Sequence, residues 1–259
     1  MSDYPNLSIL TPVYDRSQFL EIMICNLRFF NYPKNKLEWV VCDSFSKDRV
    51  QAPPLFKDEN EINAISRALG IKIIYHFRPE ALSIGKKRNI LVKMASYNHL
   101  INMDSDDIYL SDYLRYSIDV LKKNKVTCVG SPQMLFIYPN DNYKITGISC
   151  KELRQIHEAT MAFTRKHWRR QGGFCQGKNK NSGEGTQMVD GTGAKHFMKT
   201  EINNIMLCIC HDNNTVDKSQ FNSVKHQVDG LDQSTVERIP QIKILKKIFT
   251  EDNGSPHHQ

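Results

Sequence analysis

His99-Leu-Ile-Asn-Met-Asp104-Ser-Asp106-Asp107 is the stretch whose reading decides the fold. Mostly apolar residues run straight into three carboxylates within four positions. Like charges that close repel, so the cluster favours a cation. Oxygen ligands suit a hard ion such as Mg2+ or Mn2+, and Mg2+ usually holds substrate phosphates as well. A short strand ending in such a cluster sets it at the carboxyl edge of a sheet, where open α/β folds bind their ligands. The competing reading is a strand, an acidic turn and a helix N-terminus, since Asp is favoured at both of the latter. The flanking sequence decides between them.

Upstream, Leu7 to Val13 reads as a buried strand ended by Pro12 and the turn-prone Asp15. Ser17 is placed to cap a helix whose apolar positions Leu20, Ile24, Leu27 and Phe30 recur at helical spacing. A second strand, Leu37 to Cys42, runs into Asp43. Glu59 to Leu69 reads as a helix stopped by Gly70, and Ile71 to His76 as a third strand. Gly85 to Ser96 is a basic helix, and His99 to Met103 is the fourth strand. Asp112 to Lys123 follows as a helix, then strand Val126 to Gly130. Strand–helix alternation with polar residues after several strands predicts a doubly wound, mainly parallel sheet flanked by helices.

Beyond residue 130 the rhythm changes. Met134 to Tyr138 and Tyr143 to Ile148, split by Pro139-Asn-Asp-Asn142, predict a β-hairpin. A strand at Thr160 to Thr164, a helix containing Trp168, and a Gly-, Lys- and Asn-rich loop from Gly172 to Gly185 follow. Ile205 to Cys210 is a last apolar strand ending at His211. Ile239 to Phe249 is basic and amphipathic, which suits either core packing or peripheral contact with a membrane surface.

The 259 residues carry 40% hydrophobic and 24% charged residues, the profile of a folded globule rather than a disordered chain. No apolar run is long enough to cross a bilayer and no signal-like segment opens the sequence. Seven cysteines without framework spacing fit reduced thiols, and the expectation is a cytoplasmic protein, soluble or peripheral to a membrane. Cys208-x-Cys210-His211 lacks a second cysteine pair at zinc spacing. The net charge of +7 suits an anionic partner, whether nucleotide-sugar phosphate, anionic lipid or nucleic acid, and does not choose among them. No arginine-rich tract or base-stacking motif points to nucleic acid.

These residues together resemble a glycosyltransferase of the GT-A fold, similar to family 2, over about residues 7 to 215. Thr11-Pro12-Val13-Tyr14-Asp15-Arg16 resembles the family's Thr-Pro-x-Tyr-Asn-Arg opening, which implies contacts with the nucleotide base and ribose. Glu38-Trp-Val-Val-Cys-Asp43 resembles its second strand, whose terminal acid bonds the base. Gly85-Lys86-Lys87-Arg88-Asn89 matches the Gly-x-x-Arg-Asn segment, and Asp104-Ser105-Asp106 the D-x-D signature. The resemblance implies donor contacts from Thr11, Pro12, Tyr14, Arg16, Asp43, Lys86, Arg88, Asp104 and Ser105. It implies Asp104 and Asp106, with the late His211, as ligands for Mn2+ or Mg2+.

Trp168-x-x-x-Gly172-Gly173-Phe174 resembles the acceptor region before the catalytic acid, which implies an acceptor contact from Trp168. Gly183-Glu184-Gly185 stands where many relatives have Glu-Asp, with the Asp as general base. Here Gly185 replaces that Asp, leaving Glu184 or Asp190 as candidates. The chain then reads as one GT-A domain over 1–250: a nucleotide-sugar half to about 130, an acceptor and catalytic half from about 131 to 215, and a C-terminal extension over 216–250. A flexible tail over 251–259 completes it.

The function this implies is metal-dependent transfer of a sugar from a nucleoside-diphosphate donor, a UDP-sugar foremost, to a hydroxyl of a glycan, glycoconjugate or protein, with inversion. Two alternatives are a catalytically weakened sugar- or nucleotide-binding module on the same scaffold and a sugar-nucleotide pyrophosphorylase. The second normally carries a Gly-rich basic loop where this chain has Thr-Pro-Val-Tyr-Asp-Arg. Bland readings remain for single residues: Asp43 as a loop cap, Lys86 and Arg88 as a solvated face, His157, His167 and Trp168 as packing groups. On a helix Lys86 and Arg88 diverge by about 200°, and Arg88 is read as the inward one.

Overall fold

The computed structural model describes residues 4–45, 53–150, 156–176, 183–191, 195–211, 214, 217–223 and 233–252. The expected tail lies outside them from residue 253 onward. In chain order the first half runs β1 (Leu7–Tyr14), α1 (Leu20–Phe29), β2 (Leu37–Ser44), α2 (Glu59–Leu69), β3 (Lys72–Arg78), α3 (Ile84–Met94), β4 (His99–Asn102), β5 (Asp107–Tyr109), α4 (Tyr113–Asn124) and β6 (Cys128–Gly130). The second half contains β7 (Gln133–Tyr138), β8 (Lys144–Ser149), β9 (Ala162–Thr164), α5 (Arg165–Gln171), α6 (Thr186–Val189), β10 (Phe197–Lys199), β11 (Met206–Ile209), α7 (Gln233–Glu237) and α8 (Gln241–Asp252).

Seven strands form one sheet in the order β10-β6-β9-β4-β1-β2-β3. Every pairing is parallel except those of β9, which runs against both β4 and β6. This is the mixed, mainly parallel α/β architecture expected of a GT-A fold. β1 is central and its residues are buried on both faces, which explains its unbroken apolar run. Period-two alternation divides it between two cores. Leu7, Ile9 and Val13 join one cluster with Trp39, Val41 and Leu27, while Leu10 joins Val40, Leu91 and Val92 in the other. Each such side chain contributes about 1.5–3 kcal/mol by its burial.

A proline inside a central strand ordinarily costs a ladder hydrogen bond. Here β4 stops pairing at Leu10↔Asn102, and Met103 N–H closes that edge on the Leu10 carbonyl. Pro12, two residues on, faces the space β4 has vacated, so its missing N–H leaves no partner unpaired. That gap at the carboxyl edge is where the site opens.

The remaining strands form a second sheet, β5-β11-β7-β8. β7 and β8 are the expected hairpin. β11, the last apolar strand, belongs to this smaller sheet rather than extending the large one, because it pairs with β5, the short strand that follows the aspartate cluster. Two further details differ from the sequence reading. Ser17 caps nothing with its side chain; a 3-10 turn over Ser17–Phe19 leads into α1 instead. β5 and β10, three residues each, are too short to announce themselves by periodicity. α8 buries Ile242 and Leu245 in the main core, so its apolar face is committed to packing. Among the described residues no helix is long and apolar enough to cross a membrane. All seven cysteines are free thiols.

Candidate active site

The carboxyl edge of the large sheet opens into a cavity of about 760 Å3, within the range of small-molecule sites. Three segments build its charged wall: the end of β1, the first turns of α3, and the aspartates after β4. At the end of β1, Asp15 adopts a left-handed backbone with φ of 55°, a conformation that Asp tolerates better than most residues. The turn sends Arg16 back across the edge, where its Nε donates to Asp106 Oδ2 at 2.9 Å. The same guanidinium donates to the carbonyls of Tyr14 and Asp15.

Helix α3 starts at a true cap, Ser83, whose hydroxyl accepts from Lys86 N–H. Lys87, Arg88 and Leu91 then share its inward face with Ile84, at i, i+3, i+4 and i+7 spacing. Lys87 is buried, donates to the Val13 carbonyl at 2.9 Å and lies 4.9 Å from the centre of the Tyr14 ring. Burial lowers its pKa to about 8. Arg88 bridges two acids: Nε donates to Glu184 Oε1 at 2.8 Å and Nη2 to Asp104 Oδ2 at 3.1 Å. Arg88 Nη1 also lies 2.9 Å from Asp104 Oδ1, yet without the alignment of a hydrogen bond, so that buried oxygen has no hydrogen-bond partner.

Asn89 locks the second half against α3. Its amide donates to the Phe174 carbonyl, and its oxygen accepts from Phe174 N–H and the Trp168 indole. Gly85 permits the approach: a Cβ there would stand 1.8 Å from the Cys175 carbonyl oxygen. Tyr109, wholly buried, donates its hydroxyl to the Ala159 carbonyl while accepting from Asp104 N–H at 2.8 Å. The aspartate turn is therefore fixed from behind.

The three aspartates differ electrostatically. Burial opposes ionisation of Asp106, but the hydrogen bond with His211 and the charge of Arg16 prevail and hold its pKa below the usual carboxylate range. His211 Nε2 lies 3.2 Å from Asp106 Oδ2. Burial raises Asp104, against the pull of Arg88. Asp107, also raised by burial, lines the cavity as well but is engaged from β5, where it accepts from Ile209 N–H at 3.1 Å and pins β11.

Among the described residues no group of three or more His, Cys, Asp and Glu side chains is set to hold a metal ion. What the wall presents is one carboxylate beside one imidazole, Asp106 and His211, with the unpartnered Asp104 oxygen near by. That donor set fits Mn2+ or Mg2+, ions commonly completed by substrate phosphates and water.

Of the residues singled out from the sequence, Pro12, Tyr14, Arg16, Arg88, Asp104, Ser105, Asp106 and Glu184 line the cavity together. The others do not. Thr11 is buried and its hydroxyl accepts from the Trp39 indole, a packing role inside the sheet. Asp43 is buried under Leu55 N–H and the Tyr75 hydroxyl, both on one oxygen, and burial raises its pKa. Lys86 points to solvent, the outward phase of α3, while Arg88 is inward as expected. Trp168 spends its indole N–H on Asn89 and packs under the site. Asp190 is exposed beyond α6. His211 reaches the site through Asp106 without lining the cavity.

Residues not offered for the site by the sequence also line it, among them Lys87, Glu158 and Lys218, and so does His157, read from the sequence as a packing group. The phase of α3 would have found Lys87. Glu158 sits in a short 3-10 turn with no local pattern to mark it.

The sequence matches glycosyl transferase family 2 over residues 8–182. The chain belongs to that family. A comparison with curated protein sequences found no match. Among solved structures, the fold is similar to that of the mannosyltransferase PcManGT from Pyrobaculum calidifontis in complex with GDP-Man and Mn2+. The TM-score is 0.58 at 17% identity, covering 85% of this chain and 59% of that one. TarS 1-349 of S. aureus in complex with UDP gives 0.60 at 15% identity, over 79% of this chain and 60% of that one. The same protein with UDP-GlcNAc gives 0.61 at 14% identity, over 98% and 68%. The chain thus spans about three-fifths of the first two structures. Likeness at such identity speaks for the fold alone.

Proposed function

We propose that the protein transfers a sugar from a nucleoside-diphosphate donor, a UDP-sugar foremost, to an acceptor hydroxyl, with a divalent ion and with inversion. The observation that carries this reading is the meeting of Asp106 and Arg16 beside the Asp104–Arg88 pair on one cavity wall, with His211 held against Asp106. Such a wall combines ligands for a hard cation with fixed positive charge, the chemistry a diphosphate requires. Family membership and the nucleotide-sugar complexes of PcManGT and TarS support it.

Asp106 and His211, with Asp104 at hand, would hold Mn2+ or Mg2+, which when bound supplies charge neutralisation for the departing diphosphate. The chain's own residues have separable tasks. Pro12 and Tyr14 offer the donor a wall at the end of β1, and Lys87 fixes that wall by gripping the Val13 carbonyl. Ser105 borders the same space. Asp43 supports the base-binding edge from beneath the Leu55 turn. Arg88 holds Asp104 in place and adds a buried positive charge that favours the developing diphosphate anion. The acceptor, a glycan, glycoconjugate or protein hydroxyl, would enter from the side of Glu158 and Glu184.

Asp106→Asn tests this reading. The variant keeps its circular dichroism spectrum but loses Mn2+-stimulated turnover of a UDP- and GDP-sugar panel by roughly 10²-fold or more, the scale of a lost charge-stabilising group. Undiminished turnover would overturn the metal assignment.

A further inference from the structure

Gly185 stands where the family pattern has an aspartate, and its backbone gives no reason for glycine. Its φ of −81° and ψ of −11° are ordinary right-handed values open to any residue. The reason is spatial. A Cβ at 185 would meet Glu158 Cγ at 2.4 Å, Oε1 at 3.0 Å and Cδ at 3.1 Å. Gly185 N–H donates to Glu158 Oε1 at 2.9 Å. A carboxyl group from another segment of the chain therefore fills the volume that an aspartate side chain at 185 would fill.

We infer that Glu158 is the catalytic base of this enzyme, delivered to the site from the turn before β9 in place of a side chain at 185. The inference rests on the transferase reading above. Neither of the two carboxylates that the sequence offers as the base is placed for the task. Glu184 is turned inward, 4% exposed, in an ion pair with Arg88. Asp190 is exposed and outside the cavity. Glu158 lines the cavity, and among the described residues no ion pair holds it. The turn is anchored on both sides: Asn102 Nδ2 donates to the Glu158 carbonyl, and Tyr109 holds the Ala159 carbonyl. The chemistry suits the task as well. Burial and the negative charge of Glu184, against the weaker opposing pull of Gly185 N–H and Arg88, push the Glu158 pKa up to about 7, where a base and its conjugate acid are both accessible at neutral pH.

The step is a direct displacement. The Glu158 carboxylate takes the proton of the acceptor hydroxyl as that oxygen's lone pair bonds to the anomeric carbon. The bond from that carbon to the diphosphate oxygen breaks, and its electron pair leaves on the diphosphate. The proton later passes from Glu158 to water. With water as the acceptor, the same step is donor hydrolysis, which gives an assay that needs no identified acceptor.

The test uses the full chain and Mn2+, with donor binding followed by calorimetry and turnover by release of nucleoside diphosphate from UDP-Glc, UDP-GlcNAc and GDP-Man. Glu158→Gln is expected to bind donor within about threefold of the parent while turnover falls by roughly 10²–10⁴-fold. In Glu158→Ala turnover falls likewise, and adding Gly185→Asp, now free of the clash with Glu158 Cγ, restores at least tenfold. Parent-like turnover in Glu158→Gln overturns the inference. So does a folded, donor-binding Glu158→Ala/Gly185→Asp protein no faster than Glu158→Ala. A parent protein that neither binds nor turns over any of the three donors removes the transferase reading, and this inference with it.

Discussion

The half of the molecule before residue 130 and the half after it carry their chemistry in different ways. In the first, each polar group that reaches the site stands at the end of a strand or on the inward phase of a helix. Tyr14 ends β1 and Arg16 follows it, Asp104 to Asp106 follow β4, and Arg88 lies on α3. In the second, Glu184 and Glu158 sit in turns, and each reaches its partner only across long stretches of chain. Glu184 meets Arg88 across 96 residues, and Glu158 meets Gly185 across 27. A regular sheet edge positions the charged wall by repetition, whereas the wall opposite depends on a few specific tertiary contacts. The difference implies that the second half is the more fragile and the more adaptable of the two.

The bridge between them is Arg88, and removing it is the strongest way to break the comparison. Arg88→Ala leaves Asp104 and Glu184 facing each other without their shared cation, with side chains 25% and 4% exposed. Loss of one partner from a buried pair costs about 3–5 kcal/mol, to be read as a lower midpoint in urea unfolding. A midpoint unchanged from the parent would mean that the two halves do not communicate through this residue.

Gly85 tests the same seam by packing rather than charge. Gly85→Ala places a methyl 1.8 Å from a backbone oxygen of Cys175. Overpacking of this kind costs about 1–3 kcal/mol, against a gain of up to about 1 kcal/mol from helix propensity. The net expectation is a smaller loss of thermal stability than Arg88→Ala produces, with the 174–175 segment displaced from α3. A stabilised variant would show that the seam is slack.

The same contrast explains what could be read from the sequence. Apart from β5, the strands and helices up to β6 follow from apolar runs, Gly70 as a helix stop and the aspartates after β4, because local pattern and tertiary fate coincide there. Period-two alternation in β1 serves two cores, and the inward phase of α3 separates Arg88 from Lys86. The short strands β5 and β10 gave no periodicity to read, and so the place of β11 in a second sheet was hidden. For Trp168 the sequence offers two readings, a packing aromatic and, by family resemblance, an acceptor contact. Its use as a donor to Asn89 depends on a residue 79 positions away. Glu158 was invisible for the same reason: what marks it is the empty Cβ position at Gly185, a fact of three-dimensional approach rather than of spacing.

The central claim is that the wall formed by Asp104, Asp106 and His211 takes up a cation together with a sugar-linked diphosphate. Titration calorimetry of the intact protein with UDP-GlcNAc and GDP-Man, each with Mn2+ and with EDTA, tests it most directly. Saturable heat with Mn2+ that vanishes on chelation is the predicted result. Heat that is the same with and without the metal, or absent for every nucleotide sugar, would contradict it.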